Sequence, residues 1–140
     1  MSTLNSAINA SASALDAQRT RMEVAISNMA NAESTRSADG GPYRRREVVL
    51  ESQSFANNFD GKQPAAGVRV AAVLEDQNAF EHRYEPGHPD ADDNGMVAIP
   101  NVSMPEEMVD MLGAARAYQA NLTAIGLIRD TIQRALDLAK

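Results

Sequence analysis

Cysteine is absent from all 140 residues, and so is tryptophan. Without cysteine there is no disulfide, no thiol nucleophile and no cysteine-based zinc site. Three phenylalanines and three tyrosines are the whole aromatic complement, and much of the 44% hydrophobic fraction is alanine. A core built from such side chains is thin. No stretch approaches the roughly 18–20 apolar residues that span a bilayer, so no membrane insertion is expected. The first 14 residues are rich in serine and asparagine and carry no basic run, so they do not read as a secretory signal. Export, if it occurs, is expected to use a route without a cleaved signal.

The formal charge is −6, which argues against nonspecific binding to phosphate backbones, and no nucleic-acid partner is expected. Arg44, Arg45 and Arg46 form one basic run, followed at once by Glu47. Such a run reads as a solvated strand edge or a partner contact. His82 and His88 are the only histidines; one falls on an alternating strand pattern and the other beside two prolines. Gly40-Gly41-Pro42 lacks the Lys-Ser/Thr of a phosphate loop. With no nucleophile–base constellation, the chain does not read as an enzyme, and no cofactor or metal is assigned.

What the chain does have is helical periodicity at both ends. From Met108, every seventh residue is Met108, Ala115, Leu122, Arg129 and Leu136, and the companion row is Met111, Tyr118, Ile125, Ile132 and Ala139. Nine of these ten are apolar, the seam of a long helix made to pack on other helices. The start of this helix is marked by Ser103 and Glu106, a capping box, with Pro105 in the first turn. Acidic Glu106, Glu107 and Asp110 suit the positive end of its dipole. The helix is expected to end near Ala139, with Gly113 and Gly126 as points of close approach by a neighbouring helix. Arg129 breaks the seam, either as a snorkelling stem or as half of an ion pair between subunits.

A second helix is expected over residues 4–31, with Ile8, Leu15, Met22 and Met29 in one row and Leu4, Ser11, Gln18 and Ala25 in the other. Its many Ser and Asn residues lower helix propensity, so it is expected to order on packing rather than alone. Asn31 is placed to end it in a left-handed conformation. Asn28 and Asn31 share a face, either as a fraying end or as amides bonding across packed helices.

Between the helices, residues 33–42 read as a loop, residues 43–51 as a strand and residues 52–67 as a polar excursion. Alternation at Val68, Val70 and Ala72, then at Phe80, His82 and Tyr84, and a short run at Val97 and Ile99 complete a β unit of three or four strands. Asp90-Ala91-Asp92-Asp93-Asn94-Gly95 fits the first half of an EF-hand loop, which keeps a calcium-binding module as an alternative. Against it, Asn101 stands where a bidentate glutamate is needed, and Pro86 and Pro89 forbid the incoming helix. The other reading is an Asx-rich loop ending in an Asn94-Gly95 turn. The expected fold is mainly α with a small β insertion (α+β). Residues 1–35 and 103–140 form the two halves of one coiled coil, and residues 36–102 form the loop and small β domain between them.

Several blocks resemble a known family. Ser27-Asn28-Met29-Ala30-Asn31-Ala32 resembles the S-N-x-A-N signature of bacterial flagellar rod and hook proteins. Narrower blocks resemble the proximal rod members: Gln18-Arg19-Thr20-Arg21, Gly40-Gly41-Pro42-Tyr43-Arg44-Arg45, residues 84–91, residues 95–102, residues 106–109 and residues 115–121. They cover nearly the whole chain, residues 53–67 matching least. The resemblance implies a structural subunit of the periplasmic rod of the basal body, transmitting torque and lining the export channel. It implies export by the flagellar type III system and terminal helices that pair in a tube. The implied neighbours are rod proteins of the FlgB, FlgF and FlgG types, FliE, the MS ring and the export gate, together with self-association in a helical assembly. The expected assembly interface is Ile8, Leu15, Met22, Asn28, Met29, Asn31, Met108, Met111, Leu112, Tyr118, Leu122, Ile125, Arg129, Ile132 and Leu136. Ile26, Val109, Leu112 and Leu127 are the outward-facing candidates among the remaining apolar residues. A coiled-coil adaptor outside the flagellum is the other alternative.

Overall fold

The computed structural model describes residues 2–38, 40–54 and 66–138. The order of elements is α1 (Ser2–Ala30), β1 (Arg46–Ser54), β2 (Ala66–Glu75), β3 (Glu81–Tyr84), β4 (Met96–Ile99) and α2 (Met104–Leu138). The class is α+β, as the periodicities imply. Both helices fall within about two residues of their expected bounds, the scatter normal for helix ends. The core of the polar excursion, residues 55–65, lies outside the described residues.

The helix pair is the frame. Asn28, near the end of α1, bonds Glu107, near the start of α2, and Arg21 faces Asp110, so the helices run antiparallel. At 1.5 Å per residue, α1 is about 43 Å long and α2 about 52 Å. Counting back from the Asn28–Glu107 contact, the last turn of α2, from about Arg134, outruns the start of α1. The buried side chains along this contact are small or polar: Ala17, Ala25 and Asn28 on α1, and Glu107 and Ala114 on α2. Small residues bring the helix axes close but bury little apolar area.

The β region departs from a single unit. Among the described residues, the strands form two separate antiparallel ribbons, β1–β2 and β3–β4. The first strand begins at Arg46 rather than Tyr43, because Tyr43 is drawn inward: its N–H bonds the Ser34 carbonyl at 3.0 Å and its side chain is buried. In β1–β2, Val48 pairs with Val73 and Leu50 with Val70, with a register shift between Val49 and Leu50. The shift is a bulge of the kind that bends a ribbon. This ribbon lies against α1, where the Ser13 hydroxyl accepts the Val68 N–H at 3.0 Å and donates to the Ala10 carbonyl at 2.8 Å.

Two local expectations are corrected. Asn31 does not adopt a left-handed conformation; among the described residues, positive φ occurs only at Gly40, Gly41 and Gly95. The end of α1 is instead satisfied by Asn31 itself, whose amide Nδ2 donates to the Ser27 carbonyl at 2.8 Å. Nor are Gly113 and Gly126 approached within the chain: a Cβ added at either meets nothing within 4 Å. Gly95 is different. Its φ is +74°, and a Cβ there would lie 3.0 Å from both Pro86 Cβ and Tyr84 Cε2. Gly95→Ala is therefore expected to destabilise the chain by roughly 1–3 kcal/mol, while Gly126→Ala stabilises the isolated chain by up to about 1 kcal/mol. Urea unfolding of the two variants checks both signs.

Candidate functional site

The site is a buried polar junction where the end of α1, the entry to β1 and the start of α2 meet. Asn28 is its centre, with 0% of its surface exposed. Its Nδ2 donates to the Arg46 carbonyl at 2.9 Å and to Glu107 Oε2 at 3.0 Å. Its Oδ1 accepts the Arg46 N–H at 2.9 Å and the Tyr43 hydroxyl at 2.9 Å. Both donors and both acceptor sites of the amide are used, which fixes its orientation. No hydrophobic or shorter side chain reproduces that set.

Glu107 is 1% exposed and stays in place through a second partner. Arg45 Nε donates to Glu107 Oε1 at 2.6 Å, and the Arg45 guanidinium also lies 3.6 Å from Asp110. Burial works against the charged Arg45 guanidinium, but the Glu107 hydrogen bond and charge, with Glu47 and Asp110, outweigh it and raise its pKa further. The Arg45 N–H bonds Asn101 Oδ1 at 2.9 Å, which ties the segment before α2 into the same network. A buried charge pair is costly to leave half-made, so this junction is held together as a unit. Among the described residues no buried side-chain nitrogen or oxygen lacks a partner. A cleft of about 370 Å³ opens beside the junction, lined by Arg21, Arg45, Arg46, Glu47, Glu107 and Asp110 among others. Its charges are mixed and mutually neutralising, unlike an anion or cation site.

This network corrects the reading of the basic run. Arg45 is half-buried in the junction, not a solvated edge. Arg44 stacks 4.3 Å above the Phe80 ring and donates to the Asp76 carbonyl at 3.1 Å. Arg46 lies 5.7 Å from the Tyr43 ring centroid. The helix start also differs in detail: the Ser103 carbonyl accepts the Glu107 N–H at 3.0 Å, and the acid that matters is Glu107 rather than Glu106.

The junction sets which face of α2 meets α1. Because Glu107 must face Asn28, the inward row is Glu107, Met111, Ala114, Tyr118, Asn121, Ile125, Ile128 and Ile132, all buried or half-buried. Of the expected interface residues on α2, Met111, Tyr118, Ile125 and Ile132 thus lie on the inward side. Met108, Leu112, Leu122, Arg129 and Leu136 are exposed, so the Met108 row is not the seam with α1. The true seam starts one residue earlier in the heptad. On α1, Ile8, Leu15, Met22 and Met29 are half-buried, Asn28 is buried, and Asn31 bonds only locally, to Ser27 and Ser34. Ile26, Val109 and Leu127 are exposed, as the outward-facing reading has them.

Two of the three carboxylates of the Asp90–Gly95 loop, Asp90 and Asp92, are committed within the chain. Asp90 accepts the Thr35 hydroxyl at 2.8 Å and pairs with the Arg36 guanidinium, and these contacts, led by Thr35, hold its pKa below the usual value. Asp92 Oδ1 accepts the N–H groups of Met96 and Asn94, both at 2.8 Å, and its pKa is lowered by them in that order. Asp92 and Gly95 close the turn, as the Asx-loop reading has it, with the Gly95 N–H on the Asp92 carbonyl at 2.9 Å. The carboxylate that would open a calcium loop, Asp90, is already paired with the Arg36 guanidinium.

Asn28→Ala is expected to cost roughly 3 kcal/mol, because it orphans the buried Glu107 and Tyr43 partners. Asn31→Ala is expected to cost about 1 kcal/mol or less, since it removes only bonds within one helix end. Chemical denaturation of the two single variants gives the comparison.

Comparison with known proteins points one way. Residues 93–138 match the family model described as flagellar basal body rod FlgEFG protein C-terminal. Over 95% of this chain and 95% of the relative, the sequence is 40% identical to the flagellar basal-body rod protein FlgC of Borreliella burgdorferi. It is 39% identical to the FlgC of Bacillus subtilis over 95% and 96% of the two chains, and 40% identical to that of Agrobacterium fabrum over 100% and 98%. A buried register-setting junction, an uncovered helix face and full-length similarity to rod proteins thus agree: this chain belongs to the FlgC family of flagellar basal-body rod proteins, structural subunits without enzymatic activity.

Proposed function

We propose that this subunit sits in the proximal rod, carries torque across the periplasm and contributes to the wall of the export channel. The observation that supports this reading is the apolar row that α2 leaves uncovered along its length, from Met104 through Met108, Leu112 and Leu122 to Leu136. A row of that length on a folded chain needs cover from other chains. Torque then passes through many packed contacts, with no chemical step. In this reading α1 and α2 pair as a coiled coil, residues 1–35 and 103–140 build the tube wall, and residues 36–102 form the outer β part. Arg129, which has no ion-pair partner among the described residues, meets a carboxylate of a neighbour.

The neighbours are rod subunits of the FlgB, FlgF and FlgG types, FliE, and the MS ring with its export gate. Further copies of this chain complete a helical array, and the route to that position is the flagellar type III apparatus. The test is a strain lacking this protein. Purified basal bodies imaged by electron microscopy are expected to retain the MS ring but lack a rod, and cells to be non-motile. An intact rod and filament in that strain would contradict the reading.

A further inference from the structure

With no cysteine in the chain, its sulfur chemistry rests on methionine alone. Among the described residues, Met22, Met29, Met96 and Met111 are half-buried. Met104 and Met108 stand apart, with 45% and 56% of their surfaces exposed. They lie four residues apart at the start of α2 and so share one face. That face opens the uncovered apolar row, which continues to Leu112. Leucine is inert to mild oxidants, whereas a thioether is not. Neither methionine takes part in the hydrogen-bonded junction of Asn28, Tyr43, Arg45 and Glu107, so changing their sulfurs leaves that junction intact.

We propose that Met104 and Met108 form an oxidation site that governs whether the free subunit can assemble. The proposal rests on the rod-subunit reading, in which other chains cover this row. The co-reactant is a peroxide. A lone pair of the thioether sulfur attacks one peroxide oxygen, the O–O bond breaks, and the second oxygen leaves as water once it has taken up the proton. Sulfur loses two electrons and becomes a sulfoxide, and the peroxide gains them. Each sulfoxide puts an acceptor oxygen on a row that was apolar. In the free subunit water bonds that oxygen, and the fold is unchanged. Under an apolar cover it has no partner, and each one is expected to weaken the contact about tenfold. In the assembled rod the same cover keeps peroxide out. An oxidised subunit is thus excluded from the rod, while an assembled one is protected.

The test compares the full-length protein free and in place. Purified protein and purified basal bodies are each treated with hydrogen peroxide, and their peptides are mapped by mass spectrometry. In the free protein Met104 and Met108 are expected to oxidise roughly fivefold faster than Met22, Met29, Met96 and Met111. In basal bodies that lead is expected to disappear. The second measurement uses Met104→Gln with Met108→Gln, which carries amides of similar length in place of the sulfoxides. In a strain lacking the native protein this pair is expected to give at least about tenfold fewer rods, while the purified variant keeps its helical circular dichroism. Equal oxidation of all six methionines in the free protein would overturn the proposal. So would an unchanged lead in basal bodies, normal rod numbers with the glutamine pair, or loss of its fold. Rods present with no copy of the protein would instead sink the rod reading itself.

Discussion

Asn28 has to be satisfied on all four of its hydrogen-bonding positions in a site closed to water, and the rest of the architecture follows from that. Its amide spans three parts of the chain that are far apart in sequence: α1, the entry to β1 and α2. An apolar contact between small side chains such as Ala25 and Ala114 tolerates sliding, because one methyl in a groove resembles another. An amide bonded to a carboxylate, a hydroxyl and a peptide group does not. The polar junction therefore supplies the positional specificity that a thin, alanine-rich core lacks.

That specificity determines what is left outside. Turning Glu107 toward Asn28 rotates Met108 and its heptad mates away from α1. The face that results is apolar, long and continuous with the seam beneath it, which is what a subunit needs if other subunits are to complete its burial. The β parts attach to the same frame by polar tethers. Asn101 holds the segment before α2, Arg44 holds the β2–β3 turn against Phe80, and Thr35 with Arg36 clamps Asp90. None of these buries much apolar area, so the helix pair carries the order and the ribbons follow it.

The helices were legible in the sequence because their apolar periods run over many turns and because Ser103 and Pro105 mark the start of α2. The Asx-rich turn was legible from Asn94-Gly95. The face of α2 was not, because the heptad was phased on apolar residues alone. Its actual inward row begins with a glutamate, and a charged residue in a seam makes sense only once its partner is known. That partner, Arg45, lay in a basic run that reads as surface from composition, and the link between them spans 62 residues. Asn28 stood out through the family signature, and of its two sequence readings, bonding across packed helices matches the geometry. Asn31 has the other, local role. The separation of the strands into two ribbons was hidden because period-two alternation identifies strands but not their pairing partners.

The central claim is that Asn28 and Glu107 act together to fix how α2 sits on α1. A double-mutant cycle measures it directly, with unfolding free energies for Asn28→Ala, Glu107→Gln and the pair. Coupling of at least about 1 kcal/mol is the expected result for partners sharing one buried network. Additive effects within about 0.5 kcal/mol would show the two residues to be independent and would contradict the account.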